Sequence, residues 1–177
     1  HVALGALMSP FGGFIMPIQY TNITDEHNAV RHRAGMFDVS HMGEIFVSGP
    51  DAEKFVNHIF TNNVTGIPDG KILYGMMLYP NGTTVDDLLV YKEFEPDSYL
   101  LVVNASNIAK DHEWLCAQAE GYDVNVIQGD MTQRFPFEDG TFDLIFHPVS
   151  NCYVEEVKPI FKECYRVLKK GGILLCG

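Results

Sequence analysis

The dipeptide Asn81-Gly82 lies between two runs of alternating residues and constrains this chain more than any other local feature. The runs are 72–79 and 85–91, and residues 80–84 read Pro-Asn-Gly-Thr-Thr between them. Asn-Gly readily adopts the positive φ angles of the tight turns that join antiparallel strands. The sequence therefore predicts a β-hairpin, and with it an antiparallel sheet.

Around this hairpin, the order of the predicted elements indicates an α+β fold. Short strands are predicted at 44–48 and 98–103, and a helix from Asn104 or Ser106 to Glu120, where Gly121 would end it. An earlier helix begins at Pro50, and its apolar residues share one face: Ala52, Phe55, Val56, Ile59 and Phe60. We expect these helices to cover a largely antiparallel sheet.

The first 33 residues carry weaker signals. Residues 1–24 are rich in Gly, Pro and aromatic side chains, which predicts an irregular opening segment packed on the core. A short helix through Arg33 is predicted to be capped by Thr24 or Asp25. His27 and His32 fall on this helix, where a surface position explains them better than metal ligation.

After Gly121 the pattern changes. Compact apolar strands are predicted at 124–127, 142–146 and 173–175, with a helix between the last two that ends at 169–172. The apolar face of that helix consists of Val157, Phe161, Cys164 and Leu168. Apolar strands separated by helical segments are typical of a parallel, doubly wound sheet. We predict two domains, 1–121 and 122–177, with no flexible linker between them.

Composition excludes several classes of partner. The net charge of −11 and a pI near 4.9 disfavour nucleic acid and anionic membrane surfaces, and no apolar run approaches the roughly 20 residues of a membrane span. The four cysteines have no CxxC spacing, so we expect thiols in a reducing compartment rather than a disulfide or a zinc site: Cys116, Cys152, Cys164 and Cys176. A cytoplasmic location is expected, or the mitochondrial matrix in a eukaryote.

Residues 1–121 resemble the N-terminal portion of the glycine-cleavage T-protein, a folate-dependent aminomethyltransferase. The resemblance is carried by Glu-His-Asn-Ala-Val-Arg at 26–31, Gly-Met-Phe-Asp-Val-Ser-His-Met-Gly-Glu at 35–44, Val-Asp-Asp-Leu-Leu-Val-Tyr at 85–91 and Leu-Val-Val-Asn-Ala at 101–105. It implies transfer of a methylene carbon from an aminomethyl-dihydrolipoyl carrier protein, the H-protein, to tetrahydrofolate, with release of ammonia.

The resemblance also implies site residues. The family's acidic residue beside folate N10 corresponds to Asp87, the second carboxylate of the pair that opens the strand at 85–91; alternation should turn Asp86 and Asp87 to opposite faces. A fixed carboxylate would stabilise the positive charge that develops during transfer. The further positions that match the pterin pocket are Met42, Tyr74, Tyr91, Val103 and Asn104, whereas His41 is expected to have a positional role.

Residues 122–177 resemble the C-terminal part of a class I S-adenosylmethionine methyltransferase. The matching stretches are 126–131, 135–143 and 166–172, and the resemblance places Asp130 and Met131 at the adenine of S-adenosylmethionine. Such enzymes hold the cofactor over a glycine-rich turn after the first strand. No such turn precedes residue 124, so we do not expect S-adenosylmethionine binding.

Both segments are expected to be incomplete, because the chain opens on His1 and closes within a predicted strand. We therefore expect impaired or absent aminomethyltransferase activity. The alternatives are a non-catalytic folate-binding or composite module and a methyltransferase fragment, and the fusion could be natural, engineered or an artefact of assembly. Exposed sheet edges predict marginal stability or self-association, relieved if strands of the second segment pair with the first sheet.

Overall fold

The structure is a computed structural model and describes residues 1–129, 131–135, 137–147, 154 and 156–176. The chain forms β1 (Leu7–Phe11), β2 (Phe14–Gln19), α1 (Ile23–His32), β3 (Gly43–Ser48), α2 (Ala52–Ile59), β4 (Ile72–Leu78), β5 (Thr84–Lys92), β6 (Ser98–Val103), α3 (Ile108–Gln118), β7 (Asn125–Gln128), β8 (Phe142–His147), α4 (Lys158–Val167) and β9 (Leu168–Cys176). Short 3₁₀ turns lie at Val2–Leu4 and Ala105–Asn107. The predicted α+β class is confirmed.

The central sheet has the strand order β4-β5-β6-β3-β7, and every neighbouring pair in it is antiparallel. The predicted hairpin is confirmed as β4 and β5, with Gly82 in the connecting turn at φ +84°. Val85 is an extra residue in β5, because Met77 pairs with Asp86 while Leu78 pairs with Thr84. This bulge lies directly before the two aspartates and sets which face each of them occupies.

The core lies between one face of this sheet and the helices α2 and α3. The predicted apolar face of α2 is confirmed, since all its members are buried: Ala52, Phe55, Val56, Ile59 and the adjoining Phe60. They pack with inward residues of the sheet such as Val47, Val90 and Leu101. The helix begins at Ala52 rather than at Pro50, because Asp51 is its N-cap residue.

The opening segment is more regular than its sequence predicts. Strands β1 and β2 form an antiparallel hairpin around Gly12 and Gly13, whose φ angles of +58° and +88° suit a tight turn between strands. Helix α1 starts at Ile23, and the Asn22 side chain accepts a hydrogen bond from the Asp25 backbone N–H at 2.9 Å. The prediction of Thr24 or Asp25 as the cap is therefore wrong, because Asn22 is the extended residue immediately before the helix.

Strand β7 differs most from expectation. The prediction of parallel pairing within the second segment is wrong for this strand, which pairs antiparallel with β3 from Ile45–Gln128 to Ser48–Asn125. Strand β3 has one side bonded to β6, and its other side would otherwise lack partners, so a strand arriving directly after α3 can pair there. We expect from the sequence that strands of the second segment pair with the first sheet, and β7 forms such a pair with β3.

Residues directly after Gly121 also pack on the first sheet and its helices. The ring of Tyr122 lies 5.4 Å from that of Phe55, measured between centroids. The Asp123 N–H donates to Oδ2 of Asp51 at 3.0 Å, and the Asp51 N–H donates to the Asp123 carbonyl at 3.3 Å. The domain boundary between residues 121 and 122 remains a prediction. Residues on its two sides contact each other, as the Phe55–Tyr122 and Asp51–Asp123 pairs show.

The last elements form a small unit with a parallel β8–β9 pair, as the sequence predicts for those two strands. Strand β9 begins at Leu168, directly after α4, so the predicted helix end at 169–172 and strand start at 173 are wrong. Arg166 of α4 binds the segment that precedes β8, where it donates to the carbonyls of Phe135 and Phe137 at 2.9 and 2.8 Å. It also forms an ion pair with Glu163 at 2.6 Å. The centroid of the Phe137 ring lies 6.0 Å from that of Phe46 in β3, in an edge-to-face arrangement.

Across the described ranges, the structure contains no helix with the length and apolar character needed to cross a membrane.

Candidate functional site

A cavity of about 420 Å³ opens at the end of the central sheet where β5 begins and β6 ends. The turn between β1 and β2 forms one wall, and the 3₁₀ turn Ala105–Asn107 forms another. The lining residues are Phe11, Gly12, His41, Asp86, Asp87, Asn104, Ala105, Ser106 and Asn107. The predicted carboxylate pair and the predicted amide thus meet at one cavity.

The two aspartates face opposite sides of the sheet, as alternation predicts. Asp86 lies on the inner face with the buried Leu88 and Val90, whereas Asp87 shares the outer, partly exposed face with Tyr91. Both carboxylates still reach the cavity because it lies at the strand end. Because of the bulge at Val85, the two consecutive residues Val85 and Asp86 are both buried.

The carboxamide of Asn104 links the two carboxylates. Its Nδ2 donates to Oδ1 of Asp86 at 2.9 Å, to Oδ1 of Asp87 at 3.0 Å and to the Asp87 carbonyl at 3.0 Å. The Asn104 backbone N–H donates to the other Asp86 oxygen at 3.2 Å. Asn104 follows the last residue of β6, so the end of one strand fixes side chains at the start of its neighbour.

Tyr74 supplies the second donor to Asp87. Its hydroxyl donates to Oδ2 of Asp87 at 2.8 Å, although 63% of the Tyr74 residue is exposed. The hydrogen bond to Asp87, together with the negative charge of that carboxylate, raises the pKa of Tyr74. Each oxygen of Asp87 thus has one donor, Asn104 on Oδ1 and Tyr74 on Oδ2, which fixes the plane of the carboxylate.

Two residues that the sequence interpretation missed complete the polar cluster. Asn107 donates from Nδ2 to Oδ1 of Asp86 at 2.9 Å, and Asp111 of α3 is a fully buried acid whose carboxyl group influences the pKa of Asp86. Asn104, Asn107 and Asp111 are spaced by three and four residues at a helix start. That spacing puts side chains on one helical face, so it could have grouped the three residues, but it does not indicate what they contact.

The two buried carboxyl groups differ in charge state. Burial raises the pKa of Asp86, but hydrogen bonds from Asp111, Asn104 and Asn107 outweigh it, so the net pKa lies below the ordinary value. Asp111 has the opposite shift: burial, and then the hydrogen bond and charge of Asp86, raise its pKa to about 7. Asp86 is therefore the anion of this pair in neutral solution, and Asp111 titrates near neutrality.

The remaining predicted pterin-pocket positions are more dispersed. Tyr91 lies on the same sheet face as Asp87, four residues further along β5. Val103 is completely buried in the core on the other face, so it supports the sheet and does not line the cavity. Met42 is half-buried beside the cavity residue His41 and is not part of the lining.

His41 lies at the cavity between two aromatic rings. Its ring is 5.5 Å from that of Phe11 and 6.3 Å from that of Phe14. Its Nδ1 is buried and has no hydrogen-bond partner within the described residues. A polar atom of this kind at a cavity wall can accept or donate to a molecule that enters the cavity.

Met131 and the described thiols, Cys116, Cys164 and Cys176, are not part of the cavity lining. Asp130 and Cys152 fall outside the described residues, and Met131 lies in a turn beyond β7. Cys164 is buried on α4, where burial raises the pKa of its thiol. Within the part of the chain that the structure describes, no three His, Cys, Asp or Glu side chains are grouped to hold a metal ion.

The arrangement suits a ligand that carries hydrogen-bond donors or positive charge. Asp86 and Asp87 bring carboxylate oxygens to one cavity, and the amide hydrogens of Asn104 are directed at them. A fixed carboxylate at a concave site stabilises positive charge that develops on a bound molecule, because it is already oriented. It can also orient a ligand nitrogen for attack.

Comparison with known proteins gives this site a family context. The chain is 47% identical over 139 residues to an aminomethyltransferase of Thermotoga petrophila, which covers 78% of this chain and 38% of the relative. It is 52% identical over 126 residues to an aminomethyltransferase of Lysinibacillus sphaericus, covering 71% and 34% of the two chains. The chain thus spans little more than a third of the length of these curated relatives.

A solved structure resembles the fold. The crystal structure of the glycine cleavage system aminomethyltransferase T from Bartonella henselae superposes with a TM-score of 0.66 at 32% sequence identity. The similarity covers 73% of this chain and 36% of that one.

Two family profiles match, and they overlap. The ubiE/COQ5 methyltransferase family matches residues 96–177, which agrees with the resemblance of the second segment to a methyltransferase. The GCVT N-terminal domain family matches residues 1–135, which include the whole cavity and about three quarters of the chain. This chain belongs to the GCVT N-terminal domain family.

Proposed function

We propose that the cavity binds tetrahydrofolate and that the chain carries the folate-binding part of an aminomethyltransferase. The observation that carries this proposal is the position of Asp87, at the cavity with one donor on each carboxylate oxygen. In the activity proposed for the whole protein, a methylene carbon passes from an aminomethyl-dihydrolipoyl carrier protein to tetrahydrofolate. The bonds from this carbon to sulfur and to the amine nitrogen break, bonds form to the two folate nitrogens, and the protons that these nitrogens lose go to the sulfur and to the departing ammonia.

In this proposal Asp87 is the catalytic residue. Its carboxylate lies where positive charge develops as the methylene group leaves sulfur and joins the folate nitrogens, and a pre-oriented anion lowers the free energy of that charge separation. Tyr74 and Asn104 prevent rotation of the carboxylate, so little reorganisation is required during transfer.

The rest of the cavity supports a flat heterocycle with N–H donors. Phe11 and His41 supply ring surfaces, while Asp86 and Asp87 supply acceptors. Tyr74 and Tyr91 extend the aromatic surface along the outer face of β4 and β5. Pterin rings combine a planar π face with several N–H groups, so they match both features of the wall.

The test is a calorimetric titration of the chain with tetrahydrofolate under anaerobic conditions. Wild type should release heat on binding, and Asp87→Asn should bind at least roughly tenfold more weakly, because the amide lacks the negative charge and one acceptor. The matched control is Asp69→Asn, at an exposed carboxylate outside the cavity, which should bind as wild type does. An absence of heat from a folded wild-type sample would contradict the proposal.

The same variants separate catalysis from binding alone. Ammonia release from an aminomethyl-loaded lipoyl carrier, dependent on added tetrahydrofolate and on Asp87, would establish transfer by this chain. Binding that depends on Asp87 without ammonia release would indicate a folate-binding module that does not catalyse transfer.

A further inference from the structure

His41 is a residue of the cavity lining whose hydrogen-bonding capacity the fold leaves unused. Its Nδ1 is enclosed, and neither ring nitrogen forms a hydrogen bond with a described residue. The ring is held instead by Phe11 and Phe14, which flank the turn of the β1–β2 hairpin and approach it edge to face. The proton position on a histidine ring is normally set by a carbonyl or carboxylate partner. Among the described residues, no such partner sets it for His41.

The other polar side chains of the lining are poorly suited to carry a proton. Each carboxylate oxygen of Asp86 and of Asp87 already accepts a hydrogen bond from a described residue. Hydrogen bonds of this kind favour the charged form, so both groups act as fixed anions. The remaining polar lining consists of amide and alcohol side chains: Asn104, Ser106 and Asn107. Such groups do not take up a proton near neutral pH. Of the described lining residues, His41 is the one of a type that gains and loses a proton in that range.

The proposed transfer requires a group that carries a proton. The two folate nitrogens each lose a proton as they bond to the methylene carbon, and one of these protons has to reach the sulfur that the carbon leaves. A neutral imidazole becomes a cation while it holds that proton. Asp86 and Asp87 line the same cavity, so the site balances this positive charge with anions that are already oriented.

We propose that His41 is a second catalytic residue of this site, which carries a proton from a folate nitrogen to the departing sulfur. The folate nitrogen donates its lone pair to the methylene carbon, and the electron pair of the carbon–sulfur bond stays on sulfur. The imidazole takes the proton that the nitrogen loses and gives it to the thiolate, so His41 ends neutral and no other reactant is consumed. This role rests on the proposed function.

Ammonia release from an aminomethyl-loaded lipoyl carrier, in the presence of tetrahydrofolate, tests the proton transfer. His41→Gln keeps a side chain that donates and accepts hydrogen bonds but cannot carry a proton. Its rate should fall roughly 100-fold or more, while its tetrahydrofolate affinity should stay within about threefold of wild type. The matched control is His27→Gln, at an exposed histidine of α1 outside the lining, which should react as wild type does. Equal rates for wild type and folded His41→Gln would overturn the proposal.

Chemical rescue separates proton transfer from a role in binding alone. The rate of His41→Ala should also fall roughly 100-fold, and imidazole added to the solution should restore part of it, because the free base can occupy the space that the side chain leaves. Imidazole should not accelerate wild type or His27→Gln. Loss of affinity as large as the loss of rate in His41→Gln would assign His41 to binding and overturn the proposal. If His41→Ala does not fold, the rate and affinity of His41→Gln still decide.

Nuclear magnetic resonance of the His41 ring nitrogens distinguishes failure of this role from failure of the proposed function. The signals, identified by their loss in His41→Gln, should shift when tetrahydrofolate binds to the full chain. In the ligand-free chain, a ring N–H protected from exchange would reveal a protein partner and overturn the role of His41 alone. Binding without a shift would also overturn this role and leave the proposed function standing. If tetrahydrofolate binds but no ammonia is released, the shift of these signals decides. If it does not bind, both proposals fail.

Discussion

The Tyr74 hydroxyl lies 2.8 Å from Oδ2 of Asp87, although the two residues are not directly opposite each other in the hairpin. Tyr74 pairs with Leu89 and Asp87 pairs with Met76, so the bond runs diagonally across β4 and β5 on the outer face. Diagonal neighbours on one sheet face lie within reach of a long aromatic side chain. The hairpin register therefore sets the orientation of the proposed catalytic carboxylate.

Replacing Tyr74 by Phe tests that orientation. We expect tetrahydrofolate affinity to fall by roughly two- to tenfold, because Asp87 loses one donor and becomes free to rotate. Thermal stability should change little, since the hydroxyl is exposed and the ring is retained. The measurement is a titration alongside a melting curve, with Tyr165→Phe on the exposed face of α4 as the control. Unchanged affinity would show that Asn104 alone fixes the carboxylate.

The raised pKa of Asp111 predicts a pH dependence of folding. The folded chain holds this proton up to a pKa of about 7, whereas the unfolded chain releases it near the ordinary value of 3.8. The folded state therefore binds more protons between those values, and the contribution of Asp111 to the free energy of unfolding falls as pH rises through this window. Urea denaturation at pH 4.5, 6 and 7.5 measures it.

The matched variant for this experiment is Asp111→Asn, which does not titrate. The pKa values of Glu44 and Glu93 are also raised, so only the difference in stability between wild type and the variant isolates Asp111. We expect the stability of wild type relative to the variant to decline from pH 4.5 to 7.5. A constant difference would contradict a protonated Asp111.

The contrast between Asp87 and Asp111 shows what the sequence can and cannot predict at this site. Asn81-Gly82 determines the hairpin, and period-two alternation then assigns faces to Asp86 and Asp87, so both are predictable locally. Asp111 is distant from Asp86 in the sequence, and it approaches Asp86 only because α3 packs against the inner face of the sheet. That contact depends on the tertiary register between a helix and a strand, which no local pattern encodes.

The packing of Tyr122 can be tested by truncation. Tyr122→Ala removes a ring that contacts Phe55 and stacks on His58 at 5.7 Å, so the free energy of unfolding should fall by about 1–3 kcal/mol. Tyr165→Ala, at a position that is 85% exposed, should change it far less. Equal effects in urea denaturation would show that residues after Gly121 are not part of the first core.

The pairing of β7 with β3 predicts a specific pattern of amide hydrogen exchange. Gly129 donates to the Glu44 carbonyl at 2.9 Å, and antiparallel alternation makes Phe46 and Ile127 the next hydrogen-bonded pair. Ile127→Pro removes one donor of that pair, so the Phe46 amide should exchange faster. The Val47 amide faces β6 and should remain protected, and Ile127→Val should preserve both. Uniform protection in Ile127→Pro would contradict this register.

His41 predicts opposite effects on stability and binding. In His41→Phe, the buried Nδ1 without a partner is replaced by a ring carbon, so the free energy of unfolding should stay equal or rise. If a bound ligand supplies the partner, tetrahydrofolate affinity should fall by roughly two- to tenfold. Denaturation and titration of the same sample check both effects. A large loss of stability would show that His41 has a structural hydrogen bond.

The opening hairpin and β7 show a second limit of local patterns. Residues 7–19 contain Pro10 and Pro17, which disfavour regular pairing, yet they form a two-stranded sheet because Gly12 and Gly13 permit the tight turn. The strand predicted at 124–127 is present as β7 (Asn125–Gln128), but the sequence of a strand does not specify its partner. β7 pairs with the side of β3 that β6 leaves unpaired, and that side exists only in the assembled sheet. The partner of β7 therefore cannot be predicted from its own residues.

The β3–β7 pairing also decides what the chain presents to other molecules of its own kind. Without β7, the six-residue strand β3 would end the sheet with a regular row of main-chain groups available to another copy. With β7 added, that margin is a four-residue strand, too short to template extended association. Pairing with β7 thus shortens one edge of the central sheet, and the longer β4 forms the opposite edge.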